Sequence, residues 1–174
     1  MKLAYEDLIL RSITVEDTDD ILRWRNAENV KKYFIKQQEI SREDHLNWMK
    51  NKVETGRVIQ FMMMSKTAGC PIGTVYLQDI DRVNRKAEYG IFIGEHSFTG
   101  KGYGSMAAKC MIHYAFTELN LHRLYLRVYE DNDRAISCYE KAGFKKEAVL
   151  KDDVWVRGEY RNIVLMGIVK GEGQ

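Results

Sequence analysis

The chain has 174 residues, 45% of them hydrophobic and 30% charged, with 27 basic against 25 acidic side chains and a formal net charge of +2. That composition is expected of one soluble globular domain, 1–174, and the near balance of charge gives no footing for nucleic acid or an anionic membrane. No apolar run approaches the ~20 residues of a membrane span, and the acidic start, Met1 to Asp7, does not read as a signal peptide, so the expected location is the cytoplasm.

Residues 8–13 read as a first strand, and Thr14 with Asp17 has the spacing of a capping box for the helix that follows. Val15, Thr18, Ile21, Leu22 and Trp24 supply that helix with an apolar face, and Arg25-Asn26 ends it. A second helical piece is expected over 28–34. Ser41 to Asp44 cap a third helix, with Leu46, Met49 and Val53 toward the core and Gly56 as its stop. Because these helices precede most of the strands, they are expected to form a lid rather than the crossovers of a parallel sheet.

Residues 58–64 are a continuous apolar run read as a buried strand, and 66–71 are a turn holding the only proline. Residues 72–80 continue as a strand with Val75 and Leu77 on one face. The polar stretch 81–86 leads to a central strand, Tyr89 to Ile93, which completes an antiparallel meander. Gly90 within that strand marks a bulge or a close backbone approach. Glycines at 100, 102 and 104 then precede a helix-period pattern that runs to about Leu119, and 121–129 alternate as a strand. Strand, glycine loop, helix and strand make a βαβ crossover with parallel strands. A short helix in 132–144 ends at Gly143, and strands over 145–154 and 160–169 close the chain around Arg157-Gly158. Cys70, Cys110 and Cys138 lack metal-like spacing and are expected as reduced thiols, with no metal site.

A glycine loop at a helix start exposes amide groups at the positive end of the helix dipole, and Lys101 adds a charge. On spacing alone it serves an anion or a plain chain reversal equally well. It lacks the Gly-Lys-Ser/Thr ending of nucleotide-hydrolysing loops. Together with Asn132 and Tyr139 on the next short helix, it resembles the GCN5-related N-acetyltransferases over essentially the full chain. The family's Gln/Arg-x-x-Gly-x-Gly/Ala motif reads Thr99-Gly100-Lys101-Gly102-Tyr103-Gly104 here, with Thr99 departing from the usual first residue. The stretch Asn132 to Phe144, with Ala135-Ile136, Tyr139-Glu140-Lys141 and Gly143-Phe144, is the more specific match.

The resemblance implies an α/β fold with a mostly antiparallel seven-stranded sheet, one splayed parallel strand pair and about four helices. It implies acetyl-coenzyme A as donor, lying where the parallel strands part. The backbone of Ile91, Phe92 and Ile93 would pair with the pantetheine amides, and Thr99, Gly100, Lys101, Gly102, Tyr103, Gly104 and Ser105 would hold the pyrophosphate. Asn132 would bind the pantetheine arm. Tyr139 is the implied general acid toward the leaving thiolate. Glu88 is the first choice of base, against the alternative of a solvated strand-end carboxylate.

The N-terminal third, with Trp24-Arg25-Asn26 and Ile40-Ser41-x-Glu43-x-His45-x-x-Trp48, is similar to one branch of the family. That branch contains the ribosomal-protein alanine acetyltransferases and the acetyltransferases of nucleotide-linked amino sugars, the pseudaminic acid type included. A small-molecule amine acceptor follows, a nucleotide-linked amino sugar first, with Arg25, Asn26, His45 and Trp48 around it. Arg25 would pair a phosphate and Trp48 would stack, unless the tryptophans simply pack the helices. The other readings are acetylation of a protein N-terminus and a coenzyme A binding domain without chemistry. A homodimer is the family's expectation.

Overall fold

Two strands that the sequence presents unequally begin the chain. β1 (Lys2–Tyr5) and β2 (Leu8–Ser12) form a hairpin, with Leu3 opposite Leu10. The strand over residues 8–13 was legible from its alternation, whereas β1 is a four-residue outer strand with no fully buried side chain. A 3-10 turn, Val15–Asp17, leads into α1 (Thr18–Asn26), and α2 (Glu28–Lys31) follows. Asp17 makes the start rigid: its carboxylate accepts the Thr14 amide at 2.8 Å and both terminal nitrogens of Arg11 at 2.6 and 2.8 Å. α3 (Arg42–Trp48), capped by Ser41, runs into a π-helical turn, Met49–Val53.

β3 (Ile59–Ser65), β4 (Pro71–Asp81) and β5 (Lys86–Ile93) are the expected antiparallel meander. α4 (Tyr103–Thr117) crosses to β6 (Arg123–Tyr129), which lies parallel to β5. α5 (Asp133–Ala142) and the antiparallel pair β7 (Lys145–Val156) and β8 (Glu159–Val169) complete the computed structural model, which describes residues 1–171. All the strands join one sheet in the order β1-β2-β3-β4-β5-β6-β8-β7, mostly antiparallel with the single parallel pair β5 and β6. The sheet thus has eight strands rather than seven, and β1 is the addition. No helix among the described residues is long and apolar enough to cross a membrane.

Side chains alternate between the faces of a strand, so the sheet has two cores. On one face Phe61, Met63, Val75, Leu77, Ala87, Tyr89, Leu124 and Leu126 meet α4 through Ala107, Met111 and Tyr114, and α5 through Ile136. On the other, Met62 and Phe92 meet Ile13, just past β2, Ile21, Trp24 and Val30 of the N-terminal helices, and Met49 of the π-helical turn. Trp24 is therefore a core residue, edge-on to Phe92 at 6.4 Å. Two inward assignments need correction. Val15 is 54% exposed, because it belongs to the 3-10 turn and not to the face of α1. Leu46 lies at the surface while His45 is buried, since the inward stripe of α3 runs through His45 and Met49, four residues apart.

One polar anchor ties the two ends of this framework together. The Asp7 carboxylate accepts hydrogen bonds from the Tyr103 hydroxyl, from Ser65 Oγ at 3.0 Å, and from both the amide and hydroxyl of Thr67. Tyr103 is the first residue of α4, so the anchor fixes the start of that helix. These donors, Thr67 first and Tyr103 second, lower the Asp7 pKa from 3.8 to about 2. A carboxyl lowered on folding contributes stability above its unfolded pKa and loses it as pH falls toward the folded value. Stability is accordingly expected to drop between pH 3.8 and about 2. Asp7→Asn is expected to flatten that part of the curve, as read from urea midpoints across the range.

Candidate active site

The parallel ladder is short. β5 and β6 are in register at Lys86 with Arg123, Ala87 with Leu124 and Glu88 with Tyr125, and there the pairing ends. Beyond Glu88, β5 is paired only on its β4 side, through Tyr76 with Gly90, Val75 with Ile91 and Thr74 with Phe92. The β6-facing backbone of 89–93 is thus an unpaired strand edge inside the sheet. A cavity of 1090 Å³ opens along this gap and reaches both faces.

At one end stands the glycine loop. Gly100 and Gly102 have φ of +78° and +88°, a left-handed conformation that favours glycine, and no atom lies closer than 4.0 Å to where either would carry a side chain. The first bonded amide of α4 is that of Met106, which donates to the Gly102 carbonyl at 3.0 Å. The amides before it project from the positive end of a 15-residue helix. Gly104 has a different reason: a β-carbon there would fall 2.9 Å from Cys138 Sγ, so glycine lets α4 and α5 approach. Thr99, Gly100, Gly102, Gly104 and Ser105 line the cavity. Lys101 and Tyr103 are outside its wall; the lysine ammonium sits 5.5 Å from the Phe98 ring centre, and the tyrosine reaches away to Asp7.

Across the gap, Asn132 caps α5 by accepting the Ala135 amide at 3.2 Å. Tyr139 stands two turns further on, its ring edge-on to Tyr89 and to Phe144 at 6.1 Å each. Burial, reinforced by Cys138 and Tyr76, pushes its phenol far above the ordinary value, so it stays protonated. The neighbouring Tyr89 hydroxyl is buried with no hydrogen-bond partner. Glu88 is buried at the apex of the splay, and both carboxylate oxygens are occupied: Arg127 Nε donates to one and Gln78 Nε2 to the other, each at 2.9 Å.

The lid helices close the opposite end. Arg25 lies over Phe34, its guanidinium carbon 3.4 Å from the ring centre. One terminal nitrogen makes a long 3.4 Å bond to the Lys36 carbonyl; the other is buried with no partner. Burial lowers the Arg25 pKa, which marks the charge as poorly solvated. His45 stacks on Trp48 at 5.7 Å, and both its ring nitrogens are buried without partners. Burial first, and the Arg42 charge second, lower its pKa and hold the ring neutral. Asn26 does not join them at the wall: its amide exchanges two 2.9 Å bonds with the backbone of Ile40 and so fixes the segment that carries Phe34.

Residues 7–145 match the family model of the acetyltransferase (GNAT) domain. The chain belongs to the GNAT acetyltransferase family. A spermidine N(1)-acetyltransferase of Vibrio cholerae is 30% identical over 95% of this chain and 94% of its own length. The corresponding enzyme of Escherichia coli K12 is 43% identical over 55% of this chain, a match that spans only 51% of that enzyme. Bacillus subtilis YdaF, named for ribosomal N-acetylation, is 35% identical over 60% of this chain and 56% of its own. The crystal structure of the Vibrio cholerae spermidine N-acetyltransferase with CoA and spermine superposes with a TM-score of 0.88 at 27% identity, covering 95% of this chain and 96% of that one. Enzymes of the GNAT family transfer an acetyl group from acetyl-coenzyme A to an amine. The unpaired edge of β5, the open left-handed glycines and the free amides of α4 are the features that suit such a donor.

Among the residues at the cavity wall that sequence reasoning passed over are Tyr76, Gln78 and Arg127. Gln78 and Arg127 engage Glu88 from strands on either side of it, a relation set by register rather than by any local motif.

Proposed function

We propose that the chain acetylates a primary amine on a small anionic acceptor, a nucleotide-linked amino sugar being the class that fits. The observation that carries this reading is Arg25, a half-buried side chain over Phe34 whose one buried terminal nitrogen has no partner, at the cavity wall. A phosphate oxygen is the partner such a group lacks. Among the described residues, six cationic side chains line the cavity against three carboxylates, and one of those, Glu88, is already paired with Arg127.

The donor supplies an acetyl thioester. In this reading its pyrophosphate rests on the amides from Gly100 to Ser105, and its pantetheine arm lies between the backbone of 91–93 and Asn132. The acceptor nitrogen forms the new bond to the acetyl carbon as the carbon–sulfur bond breaks. Tyr139 gives its phenolic proton to the departing sulfur, and the amine proton leaves through Glu88 or a water beside it. Arg127 and Gln78 hold Glu88 in place at the apex, which makes them positioning residues for that proton.

The relatives favour a second reading, since the Vibrio cholerae and Escherichia coli proteins are spermidine acetyltransferases. A polyamine brings several positive charges, and the cationic wall opposes it. Initial rates with a UDP-linked 4-amino sugar and with spermidine, at equal acetyl-coenzyme A, separate the two. The expected result is a kcat/KM at least tenfold higher for the UDP sugar. A preference for spermidine would reverse the assignment of the acceptor and leave the acetyltransferase reading intact.

A further inference from the structure

Tyr76 belongs to neither the expected donor site nor the expected acceptor site, yet it stands at the junction of both. It occupies the lid face of β4, with Gln78 beside it and Glu88, Gly90 and Phe92 on the same face of β5, by the alternation that sends Val75, Leu77 and Tyr89 to the other core. Register places it directly opposite Gly90. A β-carbon at Gly90 would lie 2.2 Å from Tyr76 Cζ and 2.4 Å from its hydroxyl oxygen. The phenol therefore lies across the bare backbone of Gly90, and this explains a glycine in the middle of a central strand.

The position has two consequences. Gly90 lies two residues beyond Glu88, the last point at which β5 and β6 are paired, so the Tyr76 hydroxyl sits where the gap has opened. Arg25, Glu88 and Arg127 on the lid face lie near enough to influence its ionisation, and Tyr139 across the gap lies near enough to feel its own. Among the described residues its hydroxyl makes no hydrogen bond, although the ring lines the cavity. Burial raises its pKa to about 12, so it remains a neutral phenol and is no candidate for the base.

We propose that Tyr76 is the acceptor-positioning residue: its hydroxyl oxygen receives an N–H of the acceptor amine above Gly90, which turns the nitrogen lone pair toward the gap. The assignment rests on the acetyltransferase reading above and specifies how the acceptor enters the site. A neutral amine has two N–H groups and one lone pair; holding one N–H on the lid face leaves the lone pair free for attack. Gly90 acts through Tyr76, by leaving the space its ring occupies.

The test is Tyr76→Phe, which keeps the ring over Gly90 and removes only the hydroxyl. The expected result is a fall of about tenfold in kcat/KM for the UDP-linked 4-amino sugar, the size of one lost hydrogen bond, appearing in the acceptor KM. The KM for acetyl-coenzyme A, the slow hydrolysis of acetyl-coenzyme A without acceptor, and the melting temperature are expected to stay at wild-type values. Gly90→Ala, which retains the hydroxyl but displaces the ring, is expected to reproduce the acceptor defect. A Tyr76→Phe enzyme with wild-type acceptor KM and kcat overturns the assignment, as does one whose two substrate KM values and melting temperature shift together. A wild-type enzyme that acetylates neither the UDP sugar nor spermidine overturns the reading beneath it and the Tyr76 role with it.

Discussion

Tyr139→Phe is expected to lower kcat by about 100- to 1,000-fold while acetyl-coenzyme A still raises the melting temperature as it does for the wild type. The substitution removes one oxygen and leaves the ring that packs edge-on against Tyr89 and Phe144. Those contacts belong to the aromatic shape of residue 139 and are retained by phenylalanine. The strongly raised phenol pKa would at first suggest a poor proton donor. In the proposed mechanism the same burial would act on the leaving group, however: the adjacent Cys138 thiol is also pushed up by desolvation, and a thiolate formed beside it would be a stronger base than in water. Donor and recipient shift together, and proton transfer at the sulfur stays feasible. Single-turnover rates with bound acetyl-coenzyme A, compared with the ligand's thermal shift, separate chemistry from binding. Unchanged turnover would remove Tyr139 from the chemistry and reduce it to one member of an aromatic cluster.

The features that identify the family are local, and for that reason the sequence displays them. Gly100 and Gly102 need left-handed backbone, and Asn132 caps the helix that carries Tyr139; each statement involves residues within about a dozen positions of one another. The acceptor side is built differently. Tyr76 meets Gly90 through antiparallel register, and Arg127 meets Glu88 across a parallel pair whose crossover helix intervenes. No periodicity within either strand says which face of its neighbour it will share. The exchange of His45 for Leu46 has a related origin: both residues satisfy helical spacing with Met49, and packing on the sheet chose the imidazole. β1 was missed because an outer strand with one packed face carries little hydrophobic signal. Gly104 shows the opposite hazard, a motif position whose glycine answers to Cys138 on the facing helix as much as to any anion.

Arg25→Ala is expected to lower kcat/KM for the UDP-linked 4-amino sugar by about 100-fold, within the 2–5 kcal/mol that removal of one partner of a buried charged hydrogen bond costs. The rate with spermidine is expected to hold or rise, because a repelling charge has been taken from the cavity. Stability supplies the decisive control. A buried guanidinium nitrogen without a partner carries a desolvation cost, seen in the lowered Arg25 pKa, and the free protein gains nothing that offsets it beyond the Phe34 stack and one long bond to Lys36. Phe34 does not depend on Arg25 for its place, since its carbonyl accepts the Tyr129 hydroxyl at 3.1 Å. The alanine variant is therefore expected to melt at or above the wild-type temperature even as its acceptor rate collapses. Arg25→Lys, which keeps the charge and loses the planar stack, is expected to fall between the two. A loss of melting temperature that tracks the loss of rate would make Arg25 a structural residue of the lid, and the acceptor's phosphate would have to be sought at the other cations of the cavity wall.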